Sequence, residues 1–246
     1  MRGVWILFRK ELDESLRSPL IYVLTALFSA LMGWLFFNYL IASGSQQMTT
    51  VSLSTSVLGP VFGNMNFIFV FFAPLLTMRL FAEEKKLESL NLLFLSDLNH
   101  FQIILAKFFS SLFVGIFMLS TTFLFPLILA WAGYSDWGLV ISCYIGIILT
   151  MMAYLSVGLF ASSLTENQIV AAVLSFCLLL ALMLMVITAQ ATRNEIVAQL
   201  FQYMSSPYHF ESFVRGTIRS FNLVYFLSFI GFFFYATHLS LDARKW

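Results

Sequence analysis

The chain has 246 residues, 60% hydrophobic and 10% charged, with a mean hydropathy of +0.90 and a net charge of +1. Soluble domains average roughly 45–50% apolar and 25% charged residues, so these values exclude an ordinary soluble protein, a disordered chain and a coiled coil. Thirteen basic against 12 acidic residues leave no global basic field for nucleic acid, and Cys143 and Cys177, far apart in apolar runs, make neither a disulfide framework nor a metal cluster.

Residues 2–17 have the pattern of an amphipathic helix. Trp5, Phe8, Leu12 and Leu16 recur at spacings of three and four, with Arg2, Arg9, Lys10, Asp13, Glu14 and Arg17 on the other side. Such a helix is expected in the membrane interface; a charged flank that only sets orientation is the plainer reading. Ser18 and Pro19 break it, and Pro19 can start the next helix.

From Leu20 to Met78 there is no Asp, Glu, Lys, Arg or His over 59 residues. A span needs about 20 apolar residues to cross about 30 Å of hydrocarbon, so this run holds two spans, 20–42 and 58–78, around a small polar stretch at 43–50. Charge-free runs at 108–135, 137–165 and 167–192 give spans 108–131, 139–160 and 168–188, and a last span follows at 221–241. The chain reads as all-α and polytopic, with an N-terminal interfacial helix over 1–18 and a six-helix transmembrane domain over 19–246. Backbone groups in hydrocarbon must satisfy one another, which favours helices, and the period-2 alternation of a membrane barrel is absent. The charged segment ahead of the first span is not that of a cleavable signal.

Between spans, segment 79–107 concentrates charge at 83–88 and then turns apolar at 90–95. It reads either as a docking element or as an extension of span 2 that returns to the interface. Segment 189–220 repeats Ile196, Val197, Leu200, Phe201 and Met204 at helical spacing, so one or two short helices are expected there, with a structural cap as the plain role. If six spans alternate, ten Lys and Arg residues lie on the side of residues 1–19, 79–107 and the C-terminal tail. Only Arg193, Arg215 and Arg219 lie on the other. This bias puts both termini in the cytoplasm.

Motifs for chemistry are missing. No phosphate-cradling G-x-x-x-x-G-K-[ST] loop, H-E-x-x-H pair or serine-protease signature occurs, so no catalytic, cofactor or metal residue is expected. His100, His209 and His238 are far apart in sequence and are expected to be solvated or interfacial. Span interiors carry amides and hydroxyls such as Asn38, Asn64, Asn66, Thr121 and Thr122 but no ionisable group, which argues against proton coupling. Asn64 and Asn66, beside Gly59, Pro60 and Gly63, either line a path or bond helix to helix.

Several segments together resemble the permease subunit of an ABC-2 type transporter, nearest the gliding-motility-associated or multidrug-type group. They are Arg9-Lys10-Glu11-Leu12 with Ser18-Pro19, Arg79-Leu80-Phe81-Ala82-Glu83-Glu84, Leu105-Ala106-Lys107, the stretch from Ser162 to Ala171, and the stretch from Ser206 to Gly216. The resemblance implies a multi-pass protein of a bacterial inner or plasma membrane. It also implies a second permease subunit, same or homologous, two copies of a separate ATPase that binds the ATP, and room for an auxiliary subunit. By it, the 79–107 loop holds the coupling helix, with Glu83, Glu84, Lys85, Lys86, Glu88 and Ser89 as the coupling residues. Glu88, Asn91 and Asp97 depart from the usual loop, where Gly, Glu and Pro are common. A membrane scaffold without transport and an ion-coupled carrier are the other classes.

Overall fold

The computed structural model describes residues 2–44, 50–88, 99–133, 136–191 and 194–243, the side chains of 2, 44 and 50–54 excepted. Among these residues there is no strand. In chain order the helices are α1 (Arg2–Arg17), α2 (Pro19–Gly44), α3 (Thr50–Thr77), α4 (Ala82–Lys86), α5 (His100–Ser120), α6 (Leu124–Trp131), α7 (Trp137–Leu164), α8 (Gln168–Ala191), α9 (Glu195–Met204), α10 (Ser206–Val214) and α11 (Ser220–Asp242). A 3-10 turn, Thr121–Phe123, joins α5 to α6 ahead of Pro126, whose missing N–H interrupts the helical ladder. Six stretches are long and apolar enough to cross a membrane: Pro19–Ser43, Thr55–Lys86, His100–Trp131, Trp137–Leu164, Gln168–Ala191 and Ser220–Asp242.

Helix α7 is the axis of the bundle, with α3, α5, α8, α10 and α11 packed around it. It is buried on every side between Ala153 and Leu159. Close packing needs small residues where backbones meet. At Gly158 a Cβ would stand 2.0 Å from Thr77 Oγ1 of α3, and at Gly146 it would stand 2.6 Å from Phe213 Cβ of α10. The outer helices bury single stripes. In α11 the stripe is Asn222, Phe226, Ile230, Phe233, Thr237 and Leu241, at spacings of three and four. In α8 it is only Ala171, Ser175 and Leu179. The opposite faces expose Tyr22, Trp34 and Phe37 on α2 and Phe232 and Tyr235 on α11, as surfaces for lipid require.

The start of span 3 differs from the sequence reading. Span 3 starts at His100, eight residues before 108, so the end of the 79–107 segment is helix. Its first turn is closed by Asn99, whose N–H donates to Gln102 Oε1 at 3.2 Å. Lys107 marks the edge of the charge-free run, yet it lies within this helix and is 1% exposed. The span-3 helix therefore carries a buried ionisable group near its basic end. In α1 the buried stripe is Leu7 and Glu11, flanked by half-buried Val4, Phe8 and Ser15, and it packs along α5. Trp5, expected on the apolar face, is 63% exposed.

The two ends of the bundle are built differently. The basic end carries α1, the 78–88 turn, the α7–α8 connection and the end of α11. The far end carries α9 and α10. There His209 is fully buried, with Nδ1 2.8 Å from Asn222 Oδ1 and Nε2 2.9 Å from the Tyr203 carbonyl. Its ring stacks on Tyr225 at 3.8 Å, and the Tyr225 hydroxyl donates to the Met204 carbonyl. This corrects the expectation of a solvated histidine: His209 joins α9, α10 and α11. The α9 apolar stripe does not pack inward, since Ile196 is 78% and Leu200 55% exposed.

Candidate functional site at the basic end

Helix α3 ends at Thr77, and the chain turns onto the end of α7. Ser162 makes the junction. Its hydroxyl accepts the N–H groups of Phe81 and Ala82, each at 3.1 Å, and lies 3.2 Å from the Met78 carbonyl, to which it donates. Backbone donors that a helix start leaves without partners are thus met by a side chain of another helix. One residue on, the Ser163 carbonyl accepts from the Lys85 ammonium and, at 3.2 Å, from the Ser240 hydroxyl. A cation on the last carbonyls of α7 is also where the helix dipole favours one. The last described residue before 99 is Glu88, whose φ of 55° is left-handed, a conformation costly for a residue with a Cβ.

Beneath this turn lies a buried ion network. Lys107 of α5 donates to Glu11 of α1 at 2.8 Å and meets Glu84 of α4 at 2.9 Å. Its ammonium also sits 5.3 Å from the centroid of the Phe81 ring, a distance at which ring and cation attract. Three segments far apart in sequence therefore share one charge. Beside the network a cavity of about 310 Å³ opens between α1, α2, α3, α4 and α5, with Lys10, Glu14, Arg79 and Glu83 on its polar side.

The expected coupling residues thus divide. Glu84 and Lys85 point inward and hold α4 to the bundle, while Glu83 is half-buried. Lys86 and Glu88 are exposed, with Leu87 between them 68% exposed. Ser89 lies outside the described residues. The expected path residues lie near one level of the bundle but face different neighbours. Asn38 is exposed and donates to the Trp34 carbonyl of its own helix. Asn64 donates to the Tyr39 hydroxyl at 2.8 Å, and Asn66 accepts the Tyr154 hydroxyl at 2.8 Å, so these two bond α3 to α2 and to α7.

Sequence reasoning passed over Glu11, Lys107 and the partnership of His100 and His238. Asp242 lies 3.0 Å from His238 and 3.3 Å from His100, which ties the start of α5 to the end of α11. Both imidazoles, expected to be solvated or interfacial, thus share a carboxylate partner at the end of the bundle. A signal did exist for the first two. Glu11 follows Leu7 by four residues on a helix, and Lys107 is a lone charge between Ile103 and Phe109; a charge on an apolar stripe implies a buried partner.

The family described as ABC-2 family transporter protein matches residues 5–237. No curated protein matches the chain. The family match and the six spans make the chain a multi-pass membrane protein.

Proposed function

We propose that this chain, which belongs to the ABC-2 family of transporter proteins, is a membrane-spanning permease subunit driven by ATP hydrolysis on a separate subunit. The basic end faces the cytoplasm, as the Lys and Arg bias favours. The exposed Lys86, Leu87 and Glu88 form the contact for the ATPase, and the residues beneath them carry its motion inward. The observation that supports this most is Lys107. It ties α4, which would bear on the ATPase, to α1 along the membrane face and to α5, which runs into the membrane. A push on α4 is then felt by two other helices at once.

In this reading a complex holds two permease subunits and two ATPase copies, in a bacterial inner membrane, with an auxiliary subunit also accommodated. The proposal extends to kinship with the gliding-motility-associated or multidrug-type permeases, for which the order of motifs is the support. The moving load is an apolar molecule or mechanical force rather than a small ion. The test is co-purification with the ATPase expressed beside it. Lys86→Glu with Glu88→Lys is expected to reduce the ATPase recovered while leaving the chain in the membrane. Undiminished recovery would remove this surface from the contact.

A further inference from the structure

At the far end, α3, α8, α9 and α10 leave between them a cavity of about 580 Å³. Sites for small molecules span about 300 to 1,000 Å³ and combine apolar walls with a few placed polar groups. Here Met183, Val186, Phe210 and Val214 supply the apolar wall. Among the described residues the polar lining is the amides of Asn66, Gln190 and Gln202, the Tyr208 phenol and the carboxylate of Glu211. Glu211 is on the exposed rim and already paired with Arg215.

Asn66 is the deepest of these groups, at 4% exposed. Its Oδ1 takes the Tyr154 hydroxyl, and its amide nitrogen has no hydrogen-bond partner among the described residues. The nitrogen is open to the cavity that Asn66 lines, so it is a donor held ready for whatever fills that space. The geometry points to an uncharged amphiphile as the ligand, its chain along the apolar wall and its head, bearing hydroxyl or amide oxygens, against Asn66, Gln190 and Gln202. An anionic head would find no cation among the described residues of the lining and would meet Glu211. A quaternary ammonium head would offer Asn66 no acceptor and would find the Glu211 carboxylate already held by Arg215. Either charge would lose hydration without a paired counter-charge. That the ligand is transported rests on the permease reading; that it binds does not.

The test uses the full chain in lipid nanodiscs, with Cys177→Ser to remove the exposed thiol; Cys143 is buried. Ala198→Cys then places a thiol on the cavity lining. Its reaction with a thiol reagent is timed with octyl glucoside, octyl sulfate or octyltrimethylammonium, which share one chain length. Octyl glucoside is expected to slow the reaction about tenfold more than either charged probe, the ratio that one or two hydrogen bonds give. Gly63→Leu should abolish this protection, because a Cβ there meets no atom within 4 Å and the side chain can grow into the cavity. Gln202→Leu, on the exposed face of α9, should weaken it without touching the core. Equal protection by all three probes, no protection, or protection unchanged in both variants would overturn the proposal. Protection does not require an ATPase, so failure of the permease reading would leave this result standing.

Discussion

The basic end and the far end solve the same problem, holding helix termini together at a membrane boundary, with opposite chemistry. At the basic end, Lys107, Glu11, Glu84 and Lys85 join segments through charge, and His100 and His238 meet on Asp242. At the far end, His209, Asn222, Tyr203 and Tyr225 join segments through ring stacking and carbonyl hydrogen bonds. A buried ion network is sensitive to the loss of one member, because the partner is left as an uncompensated charge. Loss of the stacked ring leaves neutral amide and carbonyl oxygens unmet, a smaller penalty than a stranded charge. The basic end is therefore the region in which a small displacement of one segment is felt most strongly by the others.

The largest effect should follow from Lys107→Met, which strands Glu11 and Glu84 together. Breaking a buried pair in this way costs about 3–5 kcal/mol, and a detergent-solubilised sample should show a lower thermal midpoint. Combining it with Glu11→Gln and Glu84→Gln should restore most of that stability, since neutral groups of similar shape replace buried ions at little cost. A Lys107→Met protein as stable as the parent would mean that the network is open to water.

His209→Ala removes two hydrogen bonds and a stacked ring and should destabilise by about 2–4 kcal/mol. The loss should be confined to the far end. Protease cutting near 205–219 would rise while the 78–88 turn stayed protected. Equal exposure of both ends would show that they are not independent. Gly158→Ala should cost about 1–3 kcal/mol by overpacking against Thr77. Gly33→Ala, where nothing stands within 4 Å, should be neutral in the same thermal assay and serves as its control.

The spans were legible because length and apolarity alone decide whether a helix can cross a membrane, and the breaks at 43–50, 133–138 and 162–167 interrupt the apolar runs. The basic end was legible only as a concentration of charge. Which charges turn inward depends on residues 11, 84 and 107 meeting in space, and no local pattern encodes separations of that size. The reading of Glu83 and Glu84 as one surface missed that α4, one turn and a half long, sends adjacent carboxylates in different directions. The eight residues by which the span-3 helix starts earlier have the same origin, since a charge count ends a span at a lysine whose buried partners it cannot see.

The smallest effect on stability belongs to Asp13→Lys with Glu14→Lys. Both residues are exposed on α1, and surface changes stay within about 0.5 kcal/mol. Glu83→Lys with Glu84→Lys is not its equivalent, because the second substitution puts a cation against Lys107. Thermal midpoints of the two double variants should separate clearly, and equal midpoints would deny Glu84 its place in the network.

The central claim, that motion passes from α4 into the bundle through Lys107, is tested most directly by the stabilised triple variant Glu11→Gln, Glu84→Gln, Lys107→Met. The measurement is the ATPase rate of the complex it forms with the ATPase that co-purifies with the parent chain, set against the rate of that ATPase alone. The account predicts that the complex still assembles in normal amounts, since Lys86, Leu87 and Glu88 are untouched, but that the permease no longer changes the ATPase rate. A triple variant that alters the rate as fully as the parent would contradict it.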